Sequence, residues 1–361
     1  MRRLVFVLVT GVATSAIAAV GVAAKDSRAT VIARAQVWEA TNIPSKDTKT
    51  GPAGEKAFTF LETVTCKYDN KKLTGKTPKF ACKTDSDDEL KVKYGGSNGE
   101  VYAEVAATRL LWALGFGADG QYSVKVVCRD CPTEVGGIIR SPHERVVDPA
   151  MIERKMHGAP FEPNDTWGWD ELDRVDERAG GAPLAHRDAL KLLAVFLQSS
   201  DNKAEQQRLI CRDQPKDKTN GKAKGRGQTP CEHPFMYMHD VGLTFGRATR
   251  ANQNSIGSMN LVEWSGTPVW KETAACVGNL PKSLTGTLFD PPISEQGRRF
   301  LADLLVQLSD DQLRGMFEAA RVQLRLRNPT DLSSGFPTVD EWVAAFKMKR
   351  EQIVSRRCST T

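Results

Sequence analysis

Asp201-Asn202-Lys203-Ala204-Glu205-Gln206 and, further on, Asp240-Val241-Gly242-Leu243 are the two stretches on which the reading of this chain turns. The first puts a carboxylate, an ammonium group and a side-chain amide on one short loop. The second puts a carboxylate at the head of an Asp-x-Gly turn. Each pattern is common on its own; their order, and what precedes them, carries the argument. Ala185 to Ser199 has Ala189, Leu192, Leu193, Phe196 and Leu197 at helical spacing. That predicts an amphipathic helix ending just before Asp201.

Upstream, Glu89-Leu90-Lys91-Val92-Lys93-Tyr94 alternates apolar and basic residues and runs into Gly95-Gly96, the pattern of a half-buried strand followed by a turn. Alternation puts Lys91 and Lys93 on one face. Directly after it, Glu100 to Gly115 places Val101, Val105, Thr108, Leu111 and Trp112 at helical spacing, with Gly115 as the stop. Glu104 lies in the first turns of that helix. Lys93 with Glu104 is the expected ion pair, with Lys91 and Glu100 as the second choice.

A lysine strand, a glutamate helix, an Asp-x-Lys-x-x-Gln loop and an Asp-x-Gly turn, in that order, resemble the protein-kinase-like superfamily. The helix ending in Leu114-Gly115 and the run Met238-His239-Asp240-Val241-Gly242-Leu243-Thr244-Phe245-Gly246 look like its atypical members. Those are the secreted Golgi casein kinase type, the HipA-like kinases and the phosphatidylinositol-kinase-like enzymes. The match spans about residues 60 to 250. It implies an α+β, two-lobed protein-kinase-like fold, with a small mixed β-rich N-terminal lobe at 25–150 and a mainly helical C-terminal lobe at 151–361.

Phosphoryl transfer asks the protein for a lysine on the nucleotide phosphates, oxygen ligands on a divalent ion and an aspartate beside the attacking hydroxyl. By the resemblance, Lys93 oriented by Glu104 serves the phosphates and Asp201 is the catalytic-loop aspartate. Lys203 contacts the γ-phosphate, Asp240 is the main ligand of Mg2+ or Mn2+, and Gln206 is a metal-side amide. ATP, or another nucleoside triphosphate, is the implied nucleotide. Three departures stand out: Ser199-Ser200 where such loops carry His-Arg, Gln206 for asparagine and Val241 for phenylalanine. The glutamine matters most, because a longer side chain must bend to reach the same metal.

Neither a Gly-x-Gly-x-x-Gly loop nor a Walker-type phosphate loop is present. The candidate phosphate clamp is Lys71-Lys72-Leu73-Thr74-Gly75-Lys76-Thr77-Pro78, between strand-like pieces at Val64–Tyr68 and Lys79–Cys82. Gly75, Lys76 and Thr77 are its expected nucleotide contacts. A solvated basic hairpin tip is the alternative.

The chain has 361 residues, 40% of them hydrophobic and 26% charged, enough for one two-lobed domain or two small ones. A formal charge of +6 is too mild to indicate nucleic-acid binding. Arg2-Arg3, an uncharged run from Leu4 to Ala24 and small residues before Lys25 read as a secretory signal peptide over 1–24. An uncleaved N-terminal anchor remains open, since a bilayer span needs roughly 20 residues. The implied destination is secreted or periplasmic, and no other segment is apolar enough to span a membrane.

Eight cysteines after such a leader favour disulfides. Nearest-neighbour pairing gives Cys66 with Cys82, Cys128 with Cys131, Cys211 with Cys231, and Cys276 with Cys358, although sequence alone leaves the connectivity open. Cys128-Arg129-Asp130-Cys131 also admits half a zinc site or a redox pair, but no His or Cys pair at matching spacing completes a zinc site. A redox pair normally opens a helix, whereas Pro132 and Gly136-Gly137 predict a turn.

Arg212 to Pro230 is rich in Lys, Gly, Asp and Gln and reads as an insertion between the two loops, either solvated or attracting an acidic substrate. Three more helices are expected at 294–308, 310–326 and 338–350, the last two with capped starts at Ser309 and Thr338. Residues 247–292 read as an irregular surface segment. Trp167 and Trp169 are either groove residues or packing anchors. The first functional expectation is a phosphotransferase acting on a hydroxyl of a protein, lipid or small molecule. The others are a catalytically silent binding module of the cell envelope and a thiol oxidoreductase using Cys128 and Cys131.

Overall fold

Leu90 and Val92 point one way from their strand and Lys91 and Lys93 the other, and this alternation sets the architecture of the first half. In the computed structural model, which describes residues 26–75, 77–135, 138–162, 165–214, 230–246 and 257–359, the strand forms over Glu89–Tyr94 with Leu90 and Val92 buried. It is β3 of a closed five-stranded barrel, with β1 (Thr63–Asp69), β2 (Lys79–Lys83), β4 (Gly120–Val135) and β5 (Ile138–Arg154). The strand order is β1-β2-β3-β5-β4, antiparallel throughout except where β4 closes the ring on β1 in parallel. Val64, Cys66, Cys82, Leu90, Val92, Val124, Val126, Cys128, Ala150 and Ile152 fill a separate apolar cluster in it.

Helix α2 (Glu100–Leu114), which joins β3 to β4, is buried on every side; only Trp112 is half-buried. Sequence spacing predicts an apolar stripe with a polar face. The polar residues instead face protein, because Ala103, Ala106, Ala107 and Ala113 let the helix sink between the barrel and the helical half. Gly115 ends it at φ 88°, a left-handed cap that an L side chain adopts only at a cost.

Beyond the barrel, three short antiparallel strands, β6 (Ala159–Pro160), β7 (Gln207–Cys211) and β8 (Pro234–Met238), form a second sheet. β9 (Trp270–Glu272) and β10 (Val277–Gly278) form a third. The remaining helices among the described residues are α1 (Arg28–Arg34), α3 (Trp169–Leu172), α4 (Leu184–Leu197), α5 (Leu261–Gly266), α6 (Glu295–Leu305), α7 (Asp310–Ala319) and α8 (Val339–Val354). Helix α4 packs on α6, and α8 on α6 and α7, around Phe196, Phe245, Trp264, Phe317, Trp342 and Phe346. Ser309 and Thr338 form the expected capping boxes. Helix α7 stops at Ala319, short of the predicted 326, where Arg321 turns left-handed at φ 56° into a 3-10 turn.

The secondary structure is thus mixed, with eight α-helices and three sheets among the described residues. The stretch from residue 26 to the end of β5 includes more than the barrel. Residues 26–50 pack on the helical half: the Thr48 hydroxyl donates to the Gln312 carbonyl at 2.5 Å, and Trp38 meets Phe300 edge to face at 5.0 Å. Strand β5 continues to Arg154. Neither end carries a local signal, because both contacts form between residues distant in sequence.

The eight cysteines form four disulfides in the nearest-neighbour pattern. Cys128 and Cys131 are buried inside β4, at a bulge where Asp130 has φ 58°, and not in the predicted turn or at a helix start. Among the described residues no helix is long and apolar enough to cross a membrane. The leader at 1–24, Lys76, the turn at Gly136-Gly137, the middle of the 212–230 insertion and residues 247–256 lie outside the described residues.

Candidate active site

Lys93 leaves β3 on the side away from the barrel interior and meets the first turns of α2. Its ammonium donates to Glu100 Oε2 at 2.8 Å and to Glu104 Oε1. The two alternatives of the sequence reading therefore share one lysine. Lys91 is turned to β5 and pairs with Glu153 at 2.7 Å. Glu100 and Glu104, one helical turn apart, lie on the same helix face. Gly242 of the Asp-x-Gly turn packs on both. A Cβ there would sit 2.7 Å from Glu100 Cγ and 2.9 Å from Glu104 Oε1, so a side chain at this position would push both glutamates aside.

Three carboxylates, Glu100, Glu104 and Asp240, share the field of one buried ammonium. Burial works against the charge on Lys93, but Glu104, Asp240 and Glu100 raise its pKa well above the ordinary value. Burial pushes Glu104 up to about 8; Lys93 opposes the rise, and the like charges of Asp240 and Glu100 add to it. Burial alone would raise Asp240 as well, yet Lys93, His239 and Lys91 hold it below the carboxylate range. The second oxygen of Glu104 is buried without a hydrogen-bond partner.

Of the hairpin residues, Gly75 turns at φ 87°, and Thr77 is buried, with its hydroxyl donating to Glu100 Oε2 at 3.1 Å. Lys79 reaches the same hydroxyl at 3.4 Å. Thr77 therefore rests on α2 beside Lys93, while Lys71, Lys72, Thr74 and Gly75 are exposed to solvent.

A second group forms past the end of α4, where Gln198 takes a left-handed cap. Asp201 Oδ2 accepts from the Gln206 amide at 2.7 Å, and Lys203 lies 3.3 Å from Oδ1. The Gln206 amide nitrogen is thus committed to Asp201. Its backbone carbonyl accepts from the amides of His239 and Asp240 at 2.8 and 3.0 Å, tying the two loops together. Asn202, which sequence reasoning passed over, is buried and bonds Ser199, Thr287 and Leu288. Trp169 donates to the Asn202 carbonyl at 2.9 Å, and Trp167 is fully buried; both are anchors and not groove residues.

Sequence reasoning also missed a neighbouring cluster. Asp119, Glu153 and His239 bring ligand-type atoms within 4.8 Å of one another. Lys155 already puts its ammonium among them, 3.0 Å from His239 Nε2 and 3.3 Å from Asp119 Oδ2, and bonds Glu153 as well. Burial would raise the Asp119 carboxyl, but Lys155 and His239 bring it down to about 2. Distant in sequence and on different elements, these residues form no motif; the adjacency of His239 to Asp240 was the only available hint.

No family model matches the chain, and no curated protein matches it. Among solved structures, a proinflammatory kinase of Helicobacter pylori, CtkA, is similar at a TM-score of 0.39 and 10% sequence identity, over 82% of this chain and 95% of that one.

Proposed function

We propose that this chain is an exported, kinase-like phosphotransferase of two lobes that moves the γ-phosphoryl group of ATP to a hydroxyl of a protein, lipid or small molecule. The observation that carries this reading is the buried Lys93, paired with Glu104 and coupled to Asp240, on a strand and helix that precede the Asp201 loop. Phosphoryl transfer rests on positioning and charge neutralisation, which this set of side chains supplies. Lys93 and Lys203 neutralise phosphate oxygens, Asp201 orients the acceptor hydroxyl, and Gly75 and Thr77 close over the phosphates. Asp240 and the Gln206 side-chain oxygen are the groups available to Mg2+ or Mn2+, hard cations that take oxygen ligands. The leader and the four disulfides support export, because disulfides persist in oxidising compartments.

One observation favours a second reading, a silent binding module. Lys93 is clamped by two glutamates, so a phosphate must compete with Glu100 for the ammonium. Calorimetry of ATP binding, with and without Mg2+ or Mn2+, separates the two. Metal-dependent binding by wild type that is lost in Lys93→Ala and in Asp240→Ala supports the phosphotransferase. A folded wild type that binds no nucleotide gives the case to the silent module.

A further inference from the structure

The segment from Leu280 to Asp290 crosses the mouth of the Asp201 loop and is bolted to it. Asn202 Oδ1 accepts from the amides of Thr287 and Leu288, each at 2.7 Å, and Asn202 Nδ2 donates to the Leu288 carbonyl at 3.0 Å. Ser283 donates to the Ser200 carbonyl, and its hydroxyl accepts from the Gly286 amide at 2.7 Å. These bonds leave the three hydroxyls of the segment in different positions. That of Ser283 is used in holding the turn, and that of Thr287 lies on the Asn202 carbonyl at 3.3 Å. The hydroxyl of Thr285, an exposed residue, donates to Asp201 Oδ1 at 2.6 Å.

We propose that Thr285 is a phosphorylation site that this chain modifies on itself, within one molecule; the inference rests on the phosphotransferase reading above. Asp201 is the group assigned to orient an acceptor hydroxyl, and Thr285 makes the bond that such an acceptor makes. The Lys203 ammonium lies 3.3 Å from the same Asp201 oxygen, so the hydroxyl stands beside the group assigned to the γ-phosphate. Asn202 and Ser283 already fasten the segment, so an exposed Thr285–Asp201 bond adds little to holding it. A fixed acceptor on the same chain also reacts without the entropy cost of bringing two molecules together.

In the transfer, Thr285 Oγ1 bonds to the γ-phosphorus while the bond from that phosphorus to the β,γ-bridging oxygen breaks. The bridging oxygen leaves with the electron pair as part of ADP, and the hydroxyl proton passes to Asp201 and then to water. The product sets a phosphate of charge near −2 against the Asp201 carboxylate. Repulsion then keeps further acceptors from Asp201 and limits the modification to one phosphate per chain.

The test is incubation of the mature, disulfide-bonded protein with ATP and Mg2+ or Mn2+, followed by mass spectrometry of the tryptic peptide from Ser283 to Arg298. One phosphate on Thr285 is expected, at a rate per molecule that dilution does not change. Thr285→Val removes it, Thr285→Ser retains it, and Asp201→Asn slows it by roughly 100-fold or more. Lys93-dependent nucleotide binding with no phosphate on Thr285, or with phosphate only at other residues, overturns the inference and leaves the phosphotransferase reading standing. A rate per molecule that rises in proportion to protein concentration overturns transfer within one molecule. Absence of nucleotide binding in folded protein removes both.

Discussion

Lys93 and Lys349 are both buried, 2% and 0% exposed, and the protein treats them in opposite ways. Lys93, between the barrel and α2, faces three carboxylates that outweigh burial and raise its pKa well above the ordinary value. Lys349, on α8 among the aromatic side chains, has the Thr267 carbonyl at 2.6 Å and the face of Trp264 at 5.3 Å. With no carboxylate to answer burial, its pKa falls to about 7. Burial alone therefore says little about a lysine; the charges around it decide. Where the chain has collected counter-charges around an ammonium group, the charge is held in place. Where it has not, the ammonium is a cost carried by the helical core.

The largest break in this comparison comes from removing the ammonium at Lys93. Lys93→Met leaves Asp240 and Glu100 beside the Glu104 carboxyl in one buried space without a counter-ion. Breaking a buried pair in this way costs about 3–5 kcal/mol. Denaturant unfolding at pH 7 is the measurement, and a loss under about 1 kcal/mol would show that water already screens the cluster. Lys349→Met runs the other way. The methionine keeps the volume and removes a desolvated charge, and the half-buried Thr267 carbonyl can turn to water. A gain of about 1–3 kcal/mol at pH 7 is expected from the same unfolding experiment. A loss of stability would mean that the carbonyl bond and the Trp264 ring together outweigh burial.

How much of this contrast can be read from the sequence follows from where each contact comes from. Strand β3, helix α2, the Gly115 stop and the capping boxes are local patterns, carried by alternation, 3.6-residue spacing and a few side chains near the element ends. The four disulfides followed nearest-neighbour order because each joins the cysteines next to each other along the chain. The barrel was not legible. Its closure depends on β1 pairing in parallel with β4, and Cys128-Arg129-Asp130-Cys131-Pro132 looks like a turn although it is a bulge inside a long strand. At the site, Lys93 and Glu104 lie close in sequence and could be paired by spacing. Thr285, Asp119 and Glu153 arrive on other elements, and nothing in their own neighbourhoods announces it. Lys349 reads as one more charge on an amphipathic helix, because its burial depends on Trp264, far away in the chain.

The finest test uses pH, where the two regions leave opposite signatures. Glu104 holds its proton up to about 8 in the folded state and near 4.5 when unfolded. Between those values the folded chain binds more protons, so the Glu104 contribution to stability falls as pH rises. Lys349 titrates near 7 folded and near 10.5 unfolded. Between those values the unfolded chain binds more protons, and the Lys349 contribution rises with pH. Glu100→Gln separates the two. It removes one like charge from beside Glu104 while the amide oxygen still accepts from Thr77 and Lys93, so the change at pH 7 stays within about 1 kcal/mol. The fall between pH 5 and pH 7 becomes shallower, because Glu104 gives up its proton more readily once Glu100 is neutral. The rise between pH 8 and pH 10 stays, because Lys349 does not feel the substitution. Unfolding curves across this range for wild type and Glu100→Gln measure both limbs. An unchanged acid limb means that Glu100 and Glu104 do not share one field around Lys93. That would remove the reason for treating the two glutamates, the lysine and Asp240 as a single site.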